Sequence, residues 1–129
     1  MARQGGLQVK LKLLIGVVAL AVSTTAAAMP VSTFLAKADA LQKKGMLAMF
    51  SSDLGLLKSV TKGDIEAFAA QLKDHSVAAC PPKNASGYKI NFTSDELLKY
   101  YRAVPPARRN ISSRQAFAEF MSSKYPCKR

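Results

Sequence analysis

Acidic residues, cysteine and histidine are scarce in this chain of 129 residues. Eight Asp and Glu stand against 19 Lys and Arg, with two cysteines and one histidine. His75 has Asp74 as its only acidic neighbour, and one histidine makes no zinc site without further ligands. A solvated residue near a helix C-terminus accounts for it better than a catalytic base does. Gly-x-Ser-x-Gly, His-Glu-x-x-His and a phosphate-cradling glycine loop are missing. No catalytic residue, cofactor site or metal site is assigned, and the expectation is a protein that is not an enzyme. Strict two-residue alternation is missing too, since Lys89-Ile90-Asn91-Phe92 is too short to carry a sheet. Nor does any apolar run approach the roughly 20 residues that span a bilayer.

What the N-terminus does hold is a short apolar run behind basic residues. Arg3, Lys10 and Lys12 precede Leu13 to Val22, and Ser23 to Ala28 is a small-residue stretch of the Ala-x-Ala cleavage type. Residues 1–28 therefore read as a secretory leader and residues 29–129 as one small domain. Left uncleaved, the leader is a membrane tether, the single route to a membrane in this reading. Export places the domain in an oxidising compartment, where Cys80 and Cys127 are expected to pair rather than act as thiols. Their bond closes a loop of about 46 residues, worth roughly 4 kcal/mol in the chain-entropy model. That is comparable to the net stability of a small domain.

Charge is unevenly placed. The whole chain is +11; without the three basic residues of the leader, 16 basic and 8 acidic residues leave +8. From Cys80 onward there are ten basic residues against three acidic ones, and from Met29 to Ala79 six against five. A basic C-terminal half attracts anionic partners such as cell-wall polymer, anionic lipid or an acidic protein. Nucleic acid is the least accessible of these to an exported protein and is not expected. A solvated basic surface that serves solubility explains the same charge.

Helical signals follow one another along the chain. Ser32-Thr33 is expected to cap a helix to about Lys44, with Phe34, Leu35, Ala38 and Leu41 on one face and Gly45 as its stop. Met46 to Phe50 reads as one or two further turns, and Ser51-Ser52-Asp53 as a second capping cluster. Gly63 leaves continuity uncertain. A new helix is expected near Thr61 or Asp64, with Asp64 and Glu66 in its first turn. Cys80-Pro81-Pro82 ends it. Lys83 to Phe92 is a loop. Thr93 and Glu96 form a capping box for a helix burying Leu97, Leu98 and Tyr101. Pro105-Pro106 stops that helix, and Ser112 or Ser113 caps the last, with Phe117, Phe120 and Met121 inside. The fold class is all-α, a small single-domain bundle of four to six short helices pinned by one disulfide.

Two surface features stand out. Tyr100, Arg102, Arg108 and Arg109 cluster around Pro105-Pro106 and are the candidate partner-binding residues, because exposed Tyr and Arg are enriched at binding hot spots. The alternative is core packing for Tyr101 and solvation for the arginines. Asn84-Ala85-Ser86, Asn91-Phe92-Thr93 and Asn110-Ile111-Ser112 match the N-glycosylation acceptor pattern, and equally the turn and cap chemistry of Asn, Ser and Thr.

The segment from Cys80 to Cys127 carries a further pattern: Cys80-Pro81, Leu97-Leu98-x-x-Tyr101, Pro105-Pro106-x-x-Arg109, Ala116-x-x-x-Phe120-Met121 and Tyr125-Pro126-Cys127. It resembles the Rap1a/Tai family of periplasmic immunity proteins. It departs from that family in having Pro81-Pro82 directly after Cys80, and no family motif precedes Cys80. The resemblance implies a small helical periplasmic protein that binds rather than catalyses. Its partner would be a toxin or cell-wall hydrolase, such as a peptidoglycan amidase delivered by type VI secretion. Monomer and homodimer are both compatible with the sequence.

Overall fold

The computed structural model describes residues 28–128. Residues 1–27 of the expected leader lie outside the described residues. Four α-helices follow in order: α1 (Val31–Lys44), α2 (Ser52–Lys73), α3 (Ser94–Ala103) and α4 (Ser113–Lys124). A 3₁₀ turn over Gly45–Phe50 joins α1 to α2, and another over Pro106–Arg108 lies between α3 and α4. The sole sheet among the described residues is a hairpin, β1 (Lys83–Asn84) with β2 (Gly87–Tyr88). The all-α expectation holds, with one disulfide.

Local signals set several ends as expected. Ser51 accepts from the Asp53 N–H, and Ser112 from the Gln115 N–H. Thr93 and Glu96 complete a reciprocal capping box. Gly45, at φ +57°, turns the chain out of α1 in a conformation that side chains with a Cβ disfavour.

Three boundaries differ from the sequence reading. Ser32 and Thr33 lie inside the first turn of α1 and do not cap it; Pro30 precedes the helix and gives no side-chain cap. Instead the Val31 and Ser32 N–H groups donate to the carbonyls of Ile111 and Arg109, each at 2.9 Å. A loop distant in sequence thus satisfies the unpaired donors of the helix start.

Secondly, α2 does not restart near Asp64. It runs 22 residues through Gly55 and Gly63. Each interior glycine costs about 1 kcal/mol relative to Ala. Burial of Leu57, Val60, Phe68 and Leu72 along one stripe offsets that cost. Asp64 lies on this stripe, 1% exposed, and is not a first-turn residue.

Thirdly, α2 ends at Lys73, well before Pro81. His75 adopts φ +60°, and the Ser76 N–H bonds the Gln71 carbonyl at 3.0 Å, the closing bond of a Schellman end. His75 takes the left-handed position usually held by glycine, which His adopts more readily than most residues.

The core gathers around α4. Ala116, Phe117 and Met121 are fully buried. Phe117 meets Phe68 of α2 edge-on at 6.0 Å between ring centroids, and Phe92 at 5.3 Å. Tyr101 of α3 meets Phe34 of α1 at 5.2 Å. The Cys80–Cys127 bond ties the segment after α2 to the end of α4. Beside it the Cys80 N–H donates to the Tyr125 carbonyl at 2.8 Å.

Asp64 sits where α2 meets α4. Arg114 Nε approaches its Oδ1 at 3.4 Å. Its Oδ2 and the Ser113 hydroxyl are buried without a partner of good hydrogen-bond geometry. Burial pushes the Asp64 pKa up, while Ser113 and Arg114 draw it back. Burial, with Asp64 nearby, also holds the Tyr101 phenol protonated far above its usual range.

Two outcomes follow for stability. Reduction, or Cys80→Ser with Cys127→Ser, should lower the unfolding free energy by about 4 kcal/mol, read from denaturant midpoints. The Asp64 carboxyl holds its proton more tightly folded than unfolded. Its contribution is full below the unfolded carboxyl range and is lost as pH rises through the raised native pKa. Glu96 works in the opposite sense. Its hydrogen bond from Lys124, then that from the Thr93 N–H, hold its pKa low, so its contribution is lost as pH falls through that lowered value. Asp64→Asn should remove the first component of the pH–stability profile and keep the second; an unchanged profile would refute the Asp64 assignment.

Candidate functional site

α2 and α3 both pack on α1 and α4 and scarcely touch each other. The gap between them is an apolar groove of about 380 Å³. Leu41, Leu54, Leu57, Ile65, Phe92 and Leu98 line it, with Lys58 and Lys62 among its polar members. Leu41 and Leu54 of its lining come from the helices before and after the Gly45–Phe50 turn. The groove can hold an apolar side chain and offer ammonium groups to an anion next to it. Among the described residues no group of three His, Cys, Asp or Glu is placed to hold a metal ion.

The four candidate contact residues do not form one surface. Tyr100 is half-buried, its ring 5.2 Å from Phe120. Burial, then the Glu119 charge, raise its pKa, while Arg108 lowers it. Arg108 is exposed and pairs with Glu119 at 3.3 Å. Tyr100, Arg108 and Glu119 thus share one patch over α4.

Arg102 lies two residues along α3 from Tyr100, about 200° around the helix. It faces α1, pairing with Asp39 at 2.9 Å and reaching Gln42 at 3.4 Å. Arg109 is half-buried against the end of α3. Its Nε donates to the Val104 carbonyl at 3.0 Å and an Nη to the Arg102 carbonyl at 2.9 Å. It therefore satisfies carbonyls left open at the end of α3, as basic side chains do at helix C-termini.

The residues that form the Cys80–Cys127 pattern are mostly framework. Leu97, Tyr101, Ala116, Phe120 and Met121 are buried. Tyr101 donates to the Ser113 carbonyl at 3.3 Å. The Tyr125 hydroxyl accepts from the Asn91 N–H at 3.0 Å and donates to its carbonyl at 3.1 Å. Asn84, Asn91 and Asn110 are exposed, and Asn84 spends its side chain on the hairpin turn, accepting from the Ser86 N–H. The turn over Met46–Phe50 forms as the sequence leads one to expect, but its exposure is not foreseen there. An apolar stretch looks the same in sequence whether it is buried or not, and no local signal separates the two.

Comparison of the chain with protein-family models, with curated proteins and with solved structures returns no match.

Removing Arg109 should cost more than removing its neighbour. Arg109→Ala should destabilise by about 1–2 kcal/mol through the carbonyls it leaves open. Arg102→Ala, which loses an exposed pair, should stay within about 1 kcal/mol. Equal costs in thermal or denaturant unfolding would contradict the capping role.

Proposed function

We propose that this chain is an exported, non-enzymatic binding protein of the immunity type. It neutralises a cell-wall hydrolase, such as a peptidoglycan amidase delivered by type VI secretion, in the periplasm. One observation carries the reading: the residues through which the chain resembles Rap1a/Tai proteins are those that interlock its framework. Cys80 with Cys127, Tyr101, Arg109, Phe120 and Met121 hold the scaffold. The surface around them is left to carry specificity. A rigid, crosslinked scaffold also lowers the ordering cost of association. Tyr100 and Arg108 are the proposed contacts, sharing a patch beside Glu119; Arg102 and Arg109 support them from the scaffold.

A second reading is an envelope protein that binds anionic polymer or lipid through its basic half. Behind it stand Lys83, Lys89 and Lys99, exposed and in no ion pair among the described residues.

The two separate by salt. The mature, oxidised chain is immobilised, exposed to an envelope extract, and washed at low and then high salt. A stoichiometric cell-wall hydrolase that survives the high-salt wash is the expected result. Tyr100→Ala with Arg108→Ala should then weaken it by about tenfold or more. Elution by salt of polymer or lipid alone, with no protein partner, favours the second reading.

A further inference from the structure

The Gly45–Phe50 turn exposes bulky apolar side chains in a row. Met46 is 86% exposed, Leu47 70%, Met49 75% and Phe50 87%. Within the turn, Ala48 packs toward the core, and its carbonyl accepts from the Ser51 N–H at 3.0 Å. The turn is therefore a held protrusion. Contiguous exposed apolar residues of this size mark a contact site.

Charge at its base identifies the chemistry of what covers it. Lys43 and Lys44 close α1 immediately before the turn. Lys44 Nζ reaches Ser51 Oγ at 3.4 Å, across the foot of the turn. The nearby carboxylates are already engaged, Asp53 by Lys37 at 3.2 Å and Asp39 by Arg102 at 2.9 Å. Positive charge is thus left uncompensated around an apolar tip. A second copy seated there in a two-fold contact would bring the same lysines together, which like-charge repulsion opposes. An apolar tip with two lysines at its base matches instead a surface whose outer layer is anionic and whose interior is hydrocarbon.

We propose that the Met46–Phe50 turn, with Lys43 and Lys44 at its base, is a membrane-contact site that inserts its tip into a bilayer bearing anionic phospholipid. The apolar side chains enter the interface while the ammonium groups stay at headgroup level. The contact requires no leader and uses a different face from the Tyr100–Arg108 patch, so it stands independently of the immunity reading.

The chain contains no tryptophan, so a single one reports its own position. Phe50→Trp places the reporter at the tip. Ala107→Trp places it in the exposed turn whose neighbour Arg109 bonds the opposite end of α1. Each variant, with its disulfide intact, is titrated with phosphatidylcholine vesicles, with and without roughly a third phosphatidylglycerol. Emission from the Phe50→Trp variant is expected to shift to the blue on the anionic vesicles and to be quenched by brominated acyl chains. The Ala107→Trp variant should do neither. Lys43→Glu with Lys44→Glu, added to Phe50→Trp, should weaken the response by about tenfold or more, and so should raised salt. A tether through the leader does not reproduce a signal confined to residue 50. The proposal is overturned if the tip reporter ignores anionic vesicles or responds equally to both vesicle types. It is also overturned if that reporter shifts in buffer with rising protein concentration, which would assign the turn to a second copy.

Discussion

Phe117 on α4 is the contact on which the rest of the structure depends. It is fully buried and meets Phe68 from α2, Phe92 from the approach to α3, and Phe120 one turn along its own helix. Edge-on aromatic pairs add roughly 0.5–1.5 kcal/mol each beyond the area they bury. They tie α2 and the segment that leads into α3 onto α4. The disulfide acts at the edge of the same arrangement, holding the segment after α2 to the end of α4.

Against this apolar centre, Asp64 is a cost. A carboxylate on the buried stripe of α2 loses hydration, and one guanidinium at 3.4 Å recovers only part of it. A leucine there would pack without that penalty. The pair does register α2 against α4, because only one alignment brings Arg114 to the carboxylate. Buried ionic groups have that use in other systems. The Tyr101 phenol, bonded to the Ser113 carbonyl, belongs to the same corner, so three helices meet at one polar point inside the apolar core.

Framework and surface divide the chain's conspicuous residues. Tyr101, expected in the core, is 1% exposed, while Arg109, a candidate contact residue in the sequence, spends its guanidinium on carbonyls at the end of α3. The surfaces proposed for partners lie elsewhere. One is the Tyr100–Arg108–Glu119 patch over α4, and the other is the exposed turn between α1 and α2. Because they lie on different elements, the two proposed contacts do not compete for the same residues.

The amino-acid sequence by itself determined what is decided within about one helical turn. Ser51, Thr93 with Glu96, and Ser112 cap their helices because donor and acceptor lie two or three residues apart. Gly45 ends its helix by the freedom to take positive φ, and Pro105 ends its helix by its fixed φ and missing N–H. Two cysteines left one intramolecular pairing. The tertiary structure decided the rest, because burial and long-range hydrogen bonds depend on partners dozens of residues away. The start of α1 rests on carbonyls at 109 and 111. The passage of α2 through Gly63 rests on burial against α4, and with it goes the move of Asp64 from a helix start to the core. Tyr100 and Arg102 lie on opposite faces of α3, and only the packing shows that one face meets Phe120 and the other meets Asp39 of α1. Met46 to Phe50 stays exposed because, among the described residues, only Ala48 of the turn finds the core.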